Sequence, residues 1–341
     1  MGIIYSEMDL TDIKQQKYLD DADVEKCNEL LKDSVLEIEK IVSEINKSME
    51  NEVVKIQKED LLEFADRFSG KIKINKAYDK LVNRNTSNME NVEYVTENAI
   101  LDISNGILKR QVVLTINPYE FVQEIIHFLS QMKNVEVYEN TAAEVIHSLK
   151  DKVEVVTHNK FKILADKCII ATSVDAIQYF KDIDFEMYKS YTIATDKVLD
   201  KDEIKCAGFV AIDNNLPQHV IRFNNSNIIV SGEETILKDR IVAEDIEEKN
   251  FEGKYKKLFN YLQNIYKNEK MAKIKSCFYM VNAKTKDGLP LIDEIQNLPN
   301  VYCNLALGKN NIAYACIGGK MLQHICKDYY TKNMYLFRAN R

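Results

Sequence analysis

Apolar residues recur every three or four positions along residues 9–45, where Val24, Cys27, Leu31, Val35, Ile38, Val42 and Ile45 are separated by charged positions. This spacing predicts a long amphipathic helix, preceded by a shorter one. Residues 53–56 and 61–65 predict short strands, 74–83 a helix, and 93–114 strands around the Asn105-Gly106 turn. Asn117-Pro118-Tyr119 opens a helix over 120–131, followed by strands at 135–138, 153–157 and 162–164. The continuous apolar run at 167–172 ends in small residues, which suits a central parallel strand whose end faces a ligand. Between 191 and 234 the period drops to two, predicting an antiparallel sheet with a polar turn. Residues 243–267 read as a helix whose acidic run EDIEEK is a solvated face. The chain then returns through a strand at 273–281, the turn Lys286-Asp287-Gly288-Leu289-Pro290, a strand at 301–305 and a last helix over 311–330. No repeat or low-complexity linker separates these elements, so the domains must interleave.

Composition narrows the function. With 46 Lys plus Arg against 53 Asp plus Glu, the net charge of −7 provides no footprint for a polyphosphate backbone, and nucleic acid is not an expected partner. No run approaches the roughly 20 apolar residues of a membrane-spanning helix, and MGIIYSEMDLTD does not read as a signal peptide. The seven cysteines are odd in number and scattered, which suits reduced core thiols in a cytoplasmic protein. The chain has no C-x-x-C pair and no helix-face histidine pair, so no metal site is expected. The ten glycines include no two separated by two, four or five positions. That removes the G-x-G-x-x-G turn, the G-x-S-x-G nucleophile elbow and the Walker loop from these 341 residues, and an unrelated hydrolase loses its commonest signature.

Four segments, in order, resemble the superfamily of D-amino-acid oxidase, glycine oxidase and sarcosine oxidase. They are NPYEFVQEIIHFLS with VEVYENTAAEVIHSL at 117–149, ADKCIIATS at 165–173, SYTIATDKV at 190–198 with HVIRFNNSNIIVSGEE at 219–234, and AKTKDGLPLIDEIQNLPNVYCNLALGKNNIAYACIGGKMLQHI at 283–325. The last is similar to the pattern T-x-D-G-x-P-x-I-G, then P-N-x-Y, then a glycine-rich loop and closing helix. LFRANR at 336–341 also resembles that family's ending, and GIIYSEMD at 2–9 looks like the segment that follows its first flavin-binding stretch.

The resemblance implies an α/β (mixed α+β) fold, D-amino-acid oxidase-like, in which an incomplete FAD-binding Rossmann-like domain is interleaved with an antiparallel-sheet substrate domain. It assigns residues 1–8, 115–180 and 273–330 to the partial FAD-binding domain, 9–114 and 181–272 to the substrate domain, and 331–341 to a C-terminal tail. Its FAD-facing positions here are Ala143, Ala171, Thr172, Ser173, Gly288, Pro290, Gly308, Lys309, Asn310, Asn311 and Ile312. Several depart from the family: A-T-G becomes Ala171-Thr172-Ser173, the glycine of P-x-I-G becomes Asp293, and G-x-G-G-N-G becomes Ala306-Leu307-Gly308-Lys309-Asn310-Asn311. Side chains there intrude where glycine lets backbone approach the flavin. Lys309 is either a charge near phosphate or flavin ring or an exposed loop lysine. Arg222 either pairs with a substrate carboxylate or is a cross-strand arginine; Tyr191 and Tyr279 either line a substrate pocket or belong to the core.

The implied activity is oxidation of a small-molecule amine or amino acid by hydride transfer to FAD. Losing the amide cradle at a first helix would remove two or three charge-assisted hydrogen bonds of about 1.5–3 kcal/mol each, roughly three to six powers of ten in affinity. A complementing N-terminal polypeptide, or self-association through an open sheet edge, is therefore expected. The alternative is a remnant without catalysis, acting as a binding or interaction protein.

Overall fold

The computed structural model describes residues 1–8, 18–65, 67–83, 92–180, 185–196, 198–237, 251–268, 273–305, 308–327, 329 and 332–341. After strand β1 (Ile3–Tyr5), Asp20 caps helix α1 (Asp21–Ser48) by accepting from the Asp23 amide at 2.7 Å. Cys27, Leu31, Ile38, Val42 and Ile45 form the buried stripe of α1, with aspartates in the first turn and Lys47 in the last, as the helix dipole favours. Then come β2 (Ile56–Phe64), α2 (Phe68–Asn83), β3 (Val92–Val95), β4 (Gly106–Ile116) and α3 (Pro118–Ser130). Asn117 caps α3 and Pro118 starts it, where a missing amide costs nothing. The three-stranded meander β5 (Ala143–Ser148), β6 (Val153–Thr157), β7 (Lys162–Ala165) leads into β8 (Cys168–Ile170) and a 3₁₀ turn, Ser173–Tyr179.

The second half begins with β9 (Glu186–Thr195), α4 (Lys201–Cys206), β10 (Phe209–Asp213), β11 (His219–Asn224) and β12 (Asn227–Ile236). It continues through α5 (Phe251–Ile265), β13 (Ile274–Lys284), β14 (Leu291–Glu294), β15 (Val301–Leu305) and α6 (Asn311–Ile325). A nine-stranded sheet runs β1-β4-β2-β10-β11-β12-β9-β13, with β3 also on β4. Only β2 and β10 pair in parallel within it. A separate sheet, β14-β15-β8, contains the parallel pair β15 and β8. The fold is thus mixed α/β, as the sequence implies. Residues 1–8, grouped above with the nucleotide-binding part, supply an edge strand of the large sheet.

One core joins α1, α3 and α6 with Ile4, Leu289, Ile292 and Tyr302. It also takes in Met334, Leu336 and Phe337 from the 3₁₀ turn Lys332–Phe337, so the expected tail is packed structure. A second core lies between the large sheet and α5. The third packs the β8 and β15 region against the Ser173–Tyr179 turn.

Three expected elements differ. Residues 53–55 are not strand, because Asn46 claims Val54 through both its backbone groups, at 2.9 and 3.0 Å. Residues 135–138 are also not strand; no described strand lies alongside to satisfy them, and Val137 and Tyr138 are exposed. The last helix ends at Ile325, not at 330. Residues 9–17 of the first predicted helix, the run EDIEEK and Ala306-Leu307 lie outside the described residues. All seven cysteines are free, but Cys206 and Cys277 are exposed rather than core. Among the described residues no helix is long and apolar enough to cross a membrane, and no His, Cys, Asp and Glu group could hold a metal.

Candidate active site

A cavity of about 640 Å³ lies where the large sheet meets the loops around Gly288 and Gly308. Sheet side chains form much of its wall: Leu61 and Glu63 from β2, Lys109 and Val112 from β4, Ile212 from β10, Glu186 and Tyr188 from β9, and Lys284 from β13. The period of two explains the pairs Leu61 and Glu63, and Glu186 and Tyr188, since alternate residues of a strand share one face, while an irregularity at Gln111, with a φ of +52°, brings Lys109 and Val112 to the same side. Lys109 Nζ lies 3.6 Å from Glu63 Oε2, and the two side chains are 5% and 3% exposed. Lys284 Nζ pairs with Glu186 Oε1 at 2.6 Å and sits 5.0 Å from the Tyr188 ring centroid. Burial, with Glu234 and Glu186 nearby, pushes the Tyr188 hydroxyl up, so it stays neutral and able to donate.

The loop side of the cavity is built from backbone. Gly288 and Gly308 have φ of +73° and +85°, the left-handed region that glycine occupies without strain. The Asp287-Gly288-Leu289 turn is held by Asp287, whose Oδ1 accepts from Leu289 N at 3.0 Å and Thr285 Oγ1 at 2.8 Å. Arg341 adds Nε to Oδ2 at 2.6 Å and Nη2 to Oδ1 at 2.9 Å. Burial pushes the Asp287 carboxyl up, but Arg341 and these hydrogen bonds outweigh it and hold it below the usual range. Across the cavity mouth, Asn310 fastens β1: Tyr5 N donates to Asn310 Oδ1 at 3.0 Å, and Asn310 Nδ2 donates to Tyr5 O at 2.8 Å. Lys309 Nζ donates to Gln218 Oε1, and Gln218 Nε2 to Asn214 Oδ1 at 3.0 Å. Lys309 is thus an exposed loop lysine at the rim of the cavity, held there by Gln218.

The structure separates the candidate cofactor residues into two places. Gly288, Gly308, Lys309 and Asn310 line the cavity, with Pro290 buried behind and Asn311 and Ile312 opening α6 beside them. Ala143, Ala171, Thr172 and Ser173 lie exposed at the ends of β5 and β8, outside the cavity lining. Ser173 has a φ of +51°, the backbone state that a glycine would occupy at ease. Among the described strands, β8 pairs only with β15. No described strand lies along its other edge, and Ile169 is 47% exposed.

None of the three substrate candidates reaches the cavity. Arg222 is buried and donates to Met1 O and, at 2.9 Å, to Ile116 O; the N-terminal residues cover it and its guanidinium serves carbonyl groups. Tyr191 is fully buried, edge-on to Tyr255 of α5 at 5.7 Å, because it has the opposite strand parity to Tyr188. Tyr279, 6.4 Å from the Tyr191 ring, is a half-exposed residue on that same far side, under the Lys189 ammonium. The residues the sequence reading missed are Glu63, Lys109, Glu186, Tyr188 and Lys284. A signal did exist for Glu63, the lone charge in Leu61-Leu62-Glu63-Phe64-Ala65, but not for Lys109, which opens the polar run Lys109-Arg110-Gln111.

A parallel strand pair closed by a final helix is interleaved with an antiparallel sheet across one cleft, a two-part α/β architecture. Residues 37–325 match the family described as FAD dependent oxidoreductase, and the chain belongs to that family, whose cofactor is FAD. No curated protein matches the sequence. Glycine oxidase from Geobacillus kaustophilus is similar with a TM-score of 0.74 at 12% identity, over 94% of this chain and 83% of that one. L-amino acid deaminase from Proteus vulgaris is similar with a TM-score of 0.69 at 11% identity, over 100% and 87%. L-proline dehydrogenase from P. horikoshii is similar with a TM-score of 0.63 at 15% identity, over 89% and 82%. At these identities the likeness is one of fold.

The flavin-ring end of such a cofactor fits what is present. Two left-handed glycines leave backbone bare at the cavity, and a Cβ on Gly308 would have only the Gly288 carbonyl, at 3.9 Å, within reach. The amides that open α6, which the Asn310 side chain does not cap and which have no partner within the helix, suit an electron-rich group.

Proposed function

We propose that this chain forms the cleft of an FAD-dependent oxidoreductase acting on the carbon–nitrogen bond of a small amine or amino acid. The observation that carries this is the cavity itself, walled by charged sheet residues on one side and by the bare backbone of Gly288 and Gly308 on the other. Gly288, Gly308, Lys309, Asn310 and the first turn of α6 would hold the ring end of FAD. Ala143, Ala171, Thr172 and Ser173 would face its nucleotide end. When bound, FAD supplies the hydride acceptor, and the protein's part is to orient substrate and exclude water. Tyr188 presents a neutral hydroxyl and the Glu63–Lys109 pair a fixed dipole.

The same reading assigns the other edge of β8 to a glycine-turn strand and helix, either joined ahead of Met1 or carried by a separate polypeptide. Its support is the β8 edge that no described strand pairs, together with residues 135–138, beside which no described strand lies. Seven free thiols support a reducing, cytoplasmic setting.

The test is to purify the chain with and without such a segment and record flavin absorbance. The holoprotein is then exposed without oxygen to glycine, L-proline, iminodiacetate and a set of L- and D-amino acids. Bleaching of the bound flavin by one of them is expected. A chain that holds no FAD with the segment present, or a flavin that no amine reduces, would overturn the proposal.

A further inference from the structure

The Glu63–Lys109 pair differs from every other charge on the cavity wall. Lys284 and Glu186 are each 34% exposed and share their charge with water, whereas the Glu63 and Lys109 side chains are almost wholly withdrawn from it. Burying two ions costs more than their attraction returns when compared with an apolar pair of similar size, so stability gives no reason for this pair. Its placement does. Register pairs Lys109 with Leu61 and Glu63 with Ile107, which makes the two charged residues diagonal neighbours on one face of a rigid strand pair. Both line the cavity. An ammonium has three donors and a carboxylate two oxygens, so each can hold the other and a ligand group together.

An α-amino acid carries an ammonium and a carboxylate on a single carbon, a spacing comparable with the 3.6 Å between Lys109 Nζ and Glu63 Oε2. We propose that Glu63 receives the substrate ammonium and Lys109 its carboxylate, and that the direction from Glu63 to Lys109 decides which enantiomer the cleft accepts. The assignment rests on the oxidoreductase reading for its reaction, but not for its binding step. The reasoning is geometric. When the side chain and the hydrogen on the central carbon keep their places, exchanging ammonium and carboxylate converts one enantiomer into its mirror image. A fixed pair plus a fixed side-chain site therefore makes a three-point contact that reads handedness. A simple amine satisfies Glu63 alone and has nothing to offer Lys109.

The experiment is calorimetric titration of the FAD-free, full-length chain with the D and L forms of alanine, proline and leucine, so that no turnover consumes the probe. The wild-type chain is expected to favour one hand by roughly tenfold or more, the scale of one charge-assisted contact. The double exchange Glu63→Lys with Lys109→Glu keeps an opposite-charge pair but reverses its direction, and the preferred hand should invert. The neutral pair Glu63→Gln with Lys109→Met should weaken both hands and bring their ratio close to one. If the exchange variant does not fold by circular dichroism, the neutral pair decides. An unchanged preference in either folded variant overturns the proposal, as does a wild-type chain that binds FAD but none of the six probes. Inversion in a chain that never binds FAD would uphold this assignment and sink the flavin reading instead.

Discussion

Replacing Arg341 by alanine tests how the loop side of the cavity is held. The change removes the Nε–Oδ2 and Nη2–Oδ1 bonds to Asp287, at 2.6 and 2.9 Å, and the bond from Nη2 to Leu289 O at 3.0 Å. An exposed ion pair contributes about 0.2–1 kcal/mol, whereas removing one partner from a fully buried pair costs about 3–5 kcal/mol. With side chains 15% and 13% exposed, this two-pronged pair belongs between those limits. Asp287 also keeps its bonds from Leu289 N and Thr285 Oγ1, so the carboxylate is not stranded. The expected loss is about 2–3 kcal/mol. Urea midpoints at neutral pH for Arg341→Ala, Asp287→Asn and the double variant would give the coupling directly, and it should exceed about 1 kcal/mol. The folded carboxyl of Asp287 titrates below its unfolded value of about 3.9. The stabilisation is therefore complete above about pH 4 and is lost as pH falls through the lower folded value, so the gap between wild type and Arg341→Ala should narrow with acid. A variant within about 0.5 kcal/mol of wild type at neutral pH, or a gap that acid leaves unchanged, would refute the reasoning.

Gly2→Ala places a Cβ 2.1 Å from Ile116 O and 2.7 Å from Pro118 Cδ at a φ of +65°, and should cost about 3 kcal/mol or more by urea denaturation; a cost under about 1 kcal/mol would contradict the packing. Ser173→Gly relieves a φ of +51° and should raise stability by about 0.5–1 kcal/mol, a gain that a lowered urea midpoint would deny. Burial lowers the His219 pKa despite Asp213 and Glu233, so stability should be full above about pH 6.5 and decline as pH falls through the depressed folded value. His219→Gln should flatten that slope in thermal melts, and an identical slope would remove His219 from the account. Ile169→Lys places a charge on β8, whose other edge no described strand pairs, and should reduce self-association of the isolated chain in sedimentation velocity, while no change would show that this edge does not drive it.

Periodicity located the long helix because burial imposes it, as the stripe from Cys27 to Ile45 shows, whereas β9 to β12 are buried along most of their length on both faces. It failed where partners decide the outcome. Residues 135–138 have the composition of a strand, yet a strand exists only beside another strand. The motif-bearing loops were legible because glycine is needed where φ is positive, and Gly288, Gly308, Lys309 and Asn310 do gather at one cavity. The sheet side of the cavity was not legible. Tyr188 lines it and Tyr191 does not, a difference of parity, and nothing in the local sequence says which face of β9 meets the cavity and which meets α5. Arg222 had the right chemistry and the right sheet, but its cover comes from Met1, more than two hundred residues away in sequence.

The two bonds between Asn310 and the Tyr5 backbone join residues 305 positions apart. Loop closure over that span is entropically costly and is repaid only by contacts that follow it. The rims of the cleft can therefore meet only after nearly the whole chain has been synthesised, and shortened forms ending before residue 310 would keep the first strand on β4 but lose its tie to the loop that opens α6. The junction of β1 with the start of α6 is in this sense a late property of the polypeptide, gained at the moment its two extremities find one another.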